Sequence, residues 1–189
     1  MRRIIVSEFI TLDGIMEGPG DVDSFEFAGW TTAYGNEKIL KYKYDELVRG
    51  GSLLLGKNTY LGFASIWPTV TTAGKFGERM NAIQKLVVSN TLQDARWNNS
   101  SIVRGNILEG IKALKEQDGK DILVFGSALL VQALAEHQLI DEYRLLTYPV
   151  VLGAGKRLFK EKFGMKLKLI EAKTFDTGVV LLRYIPDIP

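Results

Sequence analysis

The sequence has no cysteine and a single histidine, His137, among its 189 residues. The absence of cysteine excludes disulfides, thiol nucleophiles and thiolate metal sites, and one histidine cannot form a histidine cluster within one chain. We therefore expect no metal centre. Neither charge sign is in excess, because 24 basic and 22 acidic residues leave a formal net charge of +2. With no polybasic run, this balance argues against a nucleic-acid-binding surface.

Long apolar runs are also missing, since none approaches the ~18 residues of a membrane-spanning helix. The N-terminal segment from Met1 to Phe9 is basic and then apolar, but Ser7 and Glu8 interrupt the apolar run that a secretory signal needs. This segment instead predicts a first strand. We expect a cytoplasmic protein that does not contact membranes. Its length suits a single globular domain spanning residues 1–189.

Apolar strands alternate with amphipathic helices along the chain. The predicted strands are 3–10, 52–55, 85–88, 101–104, 121–125, 143–148, 166–175 and 179–185. The predicted helices are 36–49, 58–65, 75–83, 106–119 and a last one from 127 to 137. The order predicts an α/β fold with three α/β/α layers, a mostly parallel mixed sheet and a C-terminal antiparallel hairpin.

The apolar spacing also predicts which helix faces are buried. On the first helix the inward face is predicted to consist of Leu40, Tyr44, Leu47 and Val48. On the last helix it is predicted to consist of Leu130, Ala133, Leu134 and His137. Asn106, with Glu109 three residues later, is typical of a helix N-cap.

Three strand ends carry residues that suit an anion: Gly56–Thr59, Ser89–Thr91 and Gly126–Ala128. In open α/β sheets, ligands gather at the carboxyl ends of the strands, where helix N-termini favour phosphate. Gly126 allows a phosphate to approach the backbone, Ser127 can cap the helix or donate its hydroxyl, and Lys57 adds a positive charge. Alternatively, these residues serve only the turns and the solvated surface. Since no GxGxxG or Walker motif is present, the pattern alone indicates only a possible anion site.

Several segments resemble known reductases. Leu54–Tyr60 is similar to the apolar-apolar-Gly-Arg-x-Thr-aromatic segment of dihydrofolate reductases, and Leu86–Ser89, Ile122–Leu130 and Leu139–Leu145 are similar to later segments of that family. The segments Thr11–Gly14 and Pro149–Phe159 resemble the C-terminal reductase domain of bacterial riboflavin biosynthesis enzymes. The resemblance extends over about residues 3–185. It identifies the chain as a member of the dihydrofolate reductase superfamily, nearest to the riboflavin-type branch.

This resemblance implies NADPH as the cofactor of a dihydrofolate reductase-like fold. By analogy, Lys57, Thr59 and Ser89 hold the adenosine 2′-phosphate end, and the pyrophosphate faces Gly126, Ser127, Ala128 and Leu129. Lys57 stands where the family has arginine, so the bidentate fork is lost and the preference for NADPH over NADH stays open.

The substrate side is less defined. The position expected for the folate-binding carboxylate is Leu40, so dihydrofolate is not the expected substrate. The riboflavin-type branch implies Asp13 as a catalytic or substrate-binding carboxylate, and the alternative is a turn partner for Gly14. Met16 closes over the nicotinamide or lies at the surface, and Trp30 and Tyr60 stack on a flat substrate or fill the core.

The resulting hypothesis is an NADPH-dependent reductase of a small heteroaromatic compound that is pterin-, pyrimidine- or flavin-like. The alternative is a non-catalytic nucleotide-binding or regulatory protein that keeps the fold. The resemblance also implies a homodimer formed through Pro149–Gly155. The identity of the substrate and the proton donor stay open at this point.

Overall fold

The computed structural model describes residues 1–20 and 24–187. Within these ranges the strands are β1 (Ile4–Thr11), β2 (Ser52–Gly56), β3 (Gln84–Val88), β4 (Ser100–Val103), β5 (Ile122–Val124), β6 (Glu142–Tyr148), β7 (Leu167–Thr174) and β8 (Val180–Pro186). The α-helices are α1 (Glu37–Arg49), α2 (Lys57–Ile66), α3 (Gly74–Ala82), α4 (Ile107–Glu116) and α5 (Ala128–Glu136). Every predicted strand and helix is present, although α4 ends before the predicted Gly119.

All eight strands form one sheet in the order β4-β3-β2-β5-β1-β6-β8-β7. The neighbouring strands from β4 to β6 run parallel to each other. The C-terminal hairpin of β7 and β8 adds the antiparallel edge through β6. The predicted α/β fold, with a mostly parallel sheet and a C-terminal hairpin, is confirmed. In the described ranges no helix is long and apolar enough to cross a membrane.

Helices cover the central strands on both faces. One face packs against α1, α2 and α3 through the buried cluster of Ile5, Leu47, Leu53, Leu55, Tyr60, Met80, Leu123 and neighbouring residues. The other face packs against α4 and α5 through the cluster of Ile4, Val6, Leu54, Ile111, Val124, Val131, Leu134 and neighbouring residues. Because successive side chains of a strand point to opposite faces, a strand buried on both sides reads as a continuous apolar run.

Asparagine caps begin two of the helices. The Asn106 side chain accepts a hydrogen bond from the Glu109 N–H, as the sequence predicts, and Asn36 accepts one from the Lys38 N–H. These bonds satisfy backbone donors that have no acceptor within the helix. The first helix therefore begins where the sequence predicts.

The predicted inward face of α1 is partly wrong, although Leu47 is fully buried as predicted. Leu40 and Val48 are 64% and 41% exposed, whereas the buried residues include Lys43 and Glu46. Apolar spacing cannot reveal a helix that buries charged residues, because their burial depends on partners elsewhere in the chain. On α5 the prediction is partly wrong as well, since His137 is exposed and terminates the helix as its C-cap.

Candidate functional site

The carboxyl ends of β2, β5 and β1 lie side by side, and the space between the connections that leave them is called the crevice below. β5 lies between β2 and β1 in the sheet. The connections after β1 and β2 lead to α1 and α2 on one face, whereas the connection after β5 leads to α5 on the opposite face. Neighbouring connections therefore diverge here, and this divergence is the usual position of ligand sites in open α/β sheets.

The turn between β5 and α5 has an unusual backbone. Gly126 (φ 64°) and Ser127 (φ 66°, ψ 48°) both lie in the left-handed region. A Cβ added at Gly126 would lie 2.9 Å from Cγ2 of Thr59. Since real Cβ atoms do not approach a neighbour so closely, only glycine fits this position without a shift of the Thr59 side chain or of α2.

The Ser127 hydroxyl joins two strand ends. It accepts a hydrogen bond of 2.9 Å from the Gly56 N–H at the end of β2. The helix cap considered for Ser127 is not formed, because its side chain makes no capping bond to the described first turn of α5. The first turn of α5 begins with Ala128 and the 74% exposed Leu129. Its N–H groups are therefore uncapped, and they present the positive end of the helix to the crevice.

The predicted residues of the 2′-phosphate end lie on the neighbouring strand ends. Lys57 Nζ donates to Oγ1 of Thr91 over 3.0 Å. The Ser89 hydroxyl accepts from the backbone N–H groups of Thr91 and Leu92. Lys57 and the Ser89 turn thus meet at Thr91, while Thr59 contacts Gly126. The structure brings the predicted cofactor residues together along one edge of the sheet.

Asp13 connects two loops. Its carboxylate accepts hydrogen bonds from the Thr11 hydroxyl (2.6 Å) and from the N–H groups of Gly153 (2.8 Å) and Leu152 (3.3 Å). The bond from Thr11, followed by those from the backbone, lowers the pKa of Asp13. A carboxyl group with a lowered pKa is ionised near neutral pH and then carries no proton to donate. The geometry favours a loop anchor over an acid, and a catalytic role for Asp13 stays a prediction.

The predicted aromatic and methionine contacts lie in different places. Tyr60 is 2% exposed in the cluster beside α1 to α3, and its hydroxyl accepts from the Trp97 N–H. Met16 belongs to the core on the α5 side of the sheet. Trp30 donates through Nε1 to the Glu17 carbonyl near Met16. Met16 therefore lies in the loop after β1 and Trp30 is bonded to that loop, whereas Tyr60 belongs to a different cluster, so the three side chains do not line one site.

Sequence reasoning missed Glu8. This residue is only 5% exposed, and its Oε2 accepts a 2.8 Å hydrogen bond from the Gly126 N–H. Its Oε1 is buried without a hydrogen-bond partner among the described residues. Burial raises the pKa of Glu8 well above its ordinary value, against the opposing effects of the Gly126 bond and Lys43. An acidic residue inside the apolar strand Ile4–Thr11 is the signal that could have identified it.

Residues 2–181 match the RibD C-terminal domain family. The chain belongs to this family. The "Uncharacterized protein YyaP" of Bacillus subtilis (strain 168) is 33% identical over 188 residues, which are 97% of this chain and 94% of YyaP. This match confirms the superfamily and the branch that the sequence motifs indicate.

Two solved structures share the fold of this RibD C-terminal domain. One is a diaminohydroxyphosphoribosylaminopyrimidine deaminase/5-amino-6-(5-phosphoribosylamino)uracil reductase from Thermotoga maritima, with a TM-score of 0.67 and 16% identity over 98% of this chain and 56% of that one. The other is the dihydrofolate reductase of Enterococcus faecalis complexed with NADP(H), with a TM-score of 0.65 and 10% identity over 98% and 97% of the two chains.

A buried charge network occupies the α1 side of this RibD C-terminal domain. Lys43 Nζ lies 2.7 Å from Oε2 of Glu46 and 2.6 Å from the Ser7 hydroxyl, which itself donates to Glu46. Arg144 pairs with the other oxygen of Glu46 at 3.1 Å. Burial alone would raise the pKa of Glu46, but the charge and hydrogen bonds of Lys43, with Ser7 and Arg144, hold it below its ordinary value.

The described residues contain no group of three or more histidine, cysteine, aspartate or glutamate side chains arranged to hold a metal ion. The crevice instead offers backbone N–H groups, hydroxyls and the Lys57 ammonium. Such donors suit phosphate oxygens.

Proposed function

We propose that this protein is an NADPH-dependent reductase of a small heteroaromatic compound that is pyrimidine-, pterin- or flavin-like and is not dihydrofolate. One observation supports this most directly. The ends of β2 and β5 are joined by the Gly56–Ser127 bond and by the close contact of Thr59 with Gly126, beneath the uncapped start of α5. This arrangement presents backbone donors to a pyrophosphate.

The side chains of the crevice fit a nicotinamide dinucleotide phosphate. Ser127, Ala128 and Leu129 would face the pyrophosphate, and Lys57 with Ser89 would face the 2′-phosphate. When bound, this cofactor supplies the hydride. The chain's own residues bind it, orient it and exclude water from the crevice. The Enterococcus relative was solved with NADP(H), which supports this choice of cofactor.

The charge network favours a substrate other than dihydrofolate. A folate-type site needs a carboxylate of the first helix that is free to hold the pterin. The carboxylate on the inward face of α1, Glu46, is already bonded to Lys43, Ser7 and Arg144. A pyrimidine-like substrate is supported by family membership and by the reductase activity named for the Thermotoga relative.

We expect calorimetric titration with NADPH to give measurable heat and a raised melting temperature, because a ligand that binds the folded state stabilises it. Oxidation of bound NADPH is then followed with a panel of pyrimidines, pterins and flavins. The absence of both heat and thermal shift at millimolar NADPH would overturn the proposal.

The hydrogen bonds of Asp13 favour a second candidate function, which is that of a protein that binds the nucleotide without catalysing a reaction. The Asp13 carboxylate accepts three hydrogen bonds and has a lowered pKa, which favours the ionised form over the acid that the riboflavin-type branch implies. NADPH that binds but is not consumed with any compound of the panel supports this alternative, and measurable oxidation removes it.

The homodimer predicted through Pro149–Gly155 stays a prediction.

Lys57 is expected to discriminate between the two nicotinamide cofactors. Lys57→Ala should weaken NADPH binding about tenfold, the effect of one charge-assisted hydrogen bond at a partly exposed site, and leave NADH binding nearly unchanged. Calorimetric titration of both cofactors measures this. Lys112→Ala, which removes an exposed lysine of α4, is the matched control. Equal losses for NADPH and NADH would place Lys57 away from the 2′-phosphate.

A further inference from the structure

Glu8 lies beside the turn between β5 and α5, where the dinucleotide is proposed to bind. Val6 pairs with Val124 near the end of β5, so Glu8, two residues further along β1, is level with Gly126. Side chains two residues apart share a face of the strand, and Val6 packs in the core cluster of α5. Glu8 therefore points to the α5 side, where its Oε2 accepts the Gly126 N–H at 2.8 Å.

The second carboxyl oxygen of Glu8 has no hydrogen-bond partner among the described residues. An ionised Glu8 therefore leaves Oε1 buried without a donor. Buried polar groups are nearly always hydrogen-bonded, and an exception calls for a bound water, ion or ligand, local strain or a functional role. A ligand atom that accepts a hydrogen bond would satisfy the neutral form.

The charged groups around Glu8 lie mainly on α1. Lys43 favours the ionised form and Glu46 opposes it, and burial is the largest influence. From β6, the residue paired with Glu8 is the uncharged Leu145. In the loop after β1, Asp13 bonds backbone N–H groups and Glu17 pairs with Lys156. No described cation forms an ion pair with Glu8.

We propose that Glu8 binds the nicotinamide dinucleotide as a neutral carboxylic acid, donating a hydrogen bond to an acceptor oxygen of the bound molecule, so that binding takes up one proton. This inference rests on the proposed function. Oε2 keeps the Gly126 N–H, and the acid hydrogen is on Oε1. The uncapped start of α5 then holds the pyrophosphate, whose negative charge an ionised Glu8 would repel.

The direction in which the affinity for the dinucleotide changes with pH follows from the direction of the Glu8 pKa shift. Burial raises the pKa of Glu8 above its value in water, and a bound pyrophosphate raises that pKa further. Between the pKa of the free protein and that of the complex, binding takes up a proton and the affinity decreases as the pH rises. Below this window Glu8 is already neutral and no longer contributes.

The experiment is calorimetric titration of NADPH and of NADH over a pH series, each in two buffers of different ionisation enthalpy. The variants are wild type, Glu8→Gln and, as a control, the exposed Glu116→Gln. In Glu8→Gln, the amide oxygen still accepts from Gly126 and the amide N–H₂ replaces the acid hydrogen. NADH is included because the 2′-phosphate of NADPH also titrates, with a pKa of about 6.

We expect wild type and Glu116→Gln to take up protons with both cofactors, and their affinities to fall by up to about tenfold per pH unit inside the window. Glu8→Gln should bind each cofactor with the affinity that wild type has at low pH. Its binding should lack the proton uptake that wild type shows with both cofactors. Wild-type binding of either cofactor without proton uptake overturns the inference and leaves the proposed function intact.

Uptake that persists unchanged in a folded Glu8→Gln also overturns the inference. If that variant does not fold, the uptake that wild type shows with NADH, which lacks the 2′-phosphate, decides the question. No binding of either cofactor at any pH would overturn the proposed function, and the inference with it. This outcome is distinct from binding without proton uptake.

Discussion

Replacing Glu46 by alanine is expected to lower the free energy of unfolding by about 3–5 kcal/mol, the range found when one partner of a buried ion pair is removed. Glu46 and Lys43 are 3% and 6% exposed. Without Glu46, the hydrogen bonds and close ring contacts that the described residues offer the buried Lys43 ammonium are those of the Ser7 hydroxyl, the Ser7 carbonyl and aromatic faces, including the Phe125 ring 3.8 Å away. These contacts do not compensate a full charge.

Urea denaturation of wild type and Glu46→Ala measures this loss. The matched control is Asp45→Ala, which removes an adjacent carboxylate whose pair with Lys41 is exposed, and it should cost at most about 1 kcal/mol. The double change Lys43→Met with Glu46→Leu should recover most of the loss, because it removes both charges and fills their volume. Equal destabilisation by Glu46→Ala and Asp45→Ala would show that the network contributes little.

Gly126→Ala is expected to weaken NADPH binding at least tenfold and to destabilise the fold. A left-handed backbone at a non-glycine residue costs about 1–2 kcal/mol. The added Cβ would also lie 2.9 Å from Thr59 Cγ2, and overpacking of this kind costs about 1–3 kcal/mol. Relief of the contact requires the Thr59 side chain or α2 to shift, which disturbs the turn that is proposed to face the pyrophosphate.

Two comparisons separate the backbone cost from the contact. Gly105 also has a positive φ (77°), but no described atom lies within 4 Å of a Cβ placed there, so Gly105→Ala should show the backbone cost alone and normal NADPH binding. Thr59→Ser removes the methyl group that Gly126→Ala meets. The double variant Gly126→Ala with Thr59→Ser should therefore lose less stability than the sum of the losses of the two single variants. A double-mutant cycle in urea measures this difference. Additive losses of stability would show that the Thr59 methyl group does not clash with the added Cβ.

The sequence by itself predicted the architecture. Strands buried on both faces read as continuous apolar runs, and the helix at Asn106 has a cap signature that depends only on neighbouring residues. The strand-end glycines and serines at Gly56, Ser89 and Gly126 were recognised as ligand-site candidates because the carboxyl ends of parallel strands meet along one edge. These signals are local or follow from the order of the elements.

The tertiary structure alone decided which charged residues are buried and how the crevice residues are connected. Glu8 bonds a backbone group 118 positions away, and the Ser7–Glu46 bond joins residues 39 positions apart. Whether a charge is buried depends on the partners that the folded chain brings to it, and periodicity in a short segment cannot encode those partners. The same long-range pairing made α1 turn Lys43 and Glu46 inward and left Leu40 in solvent.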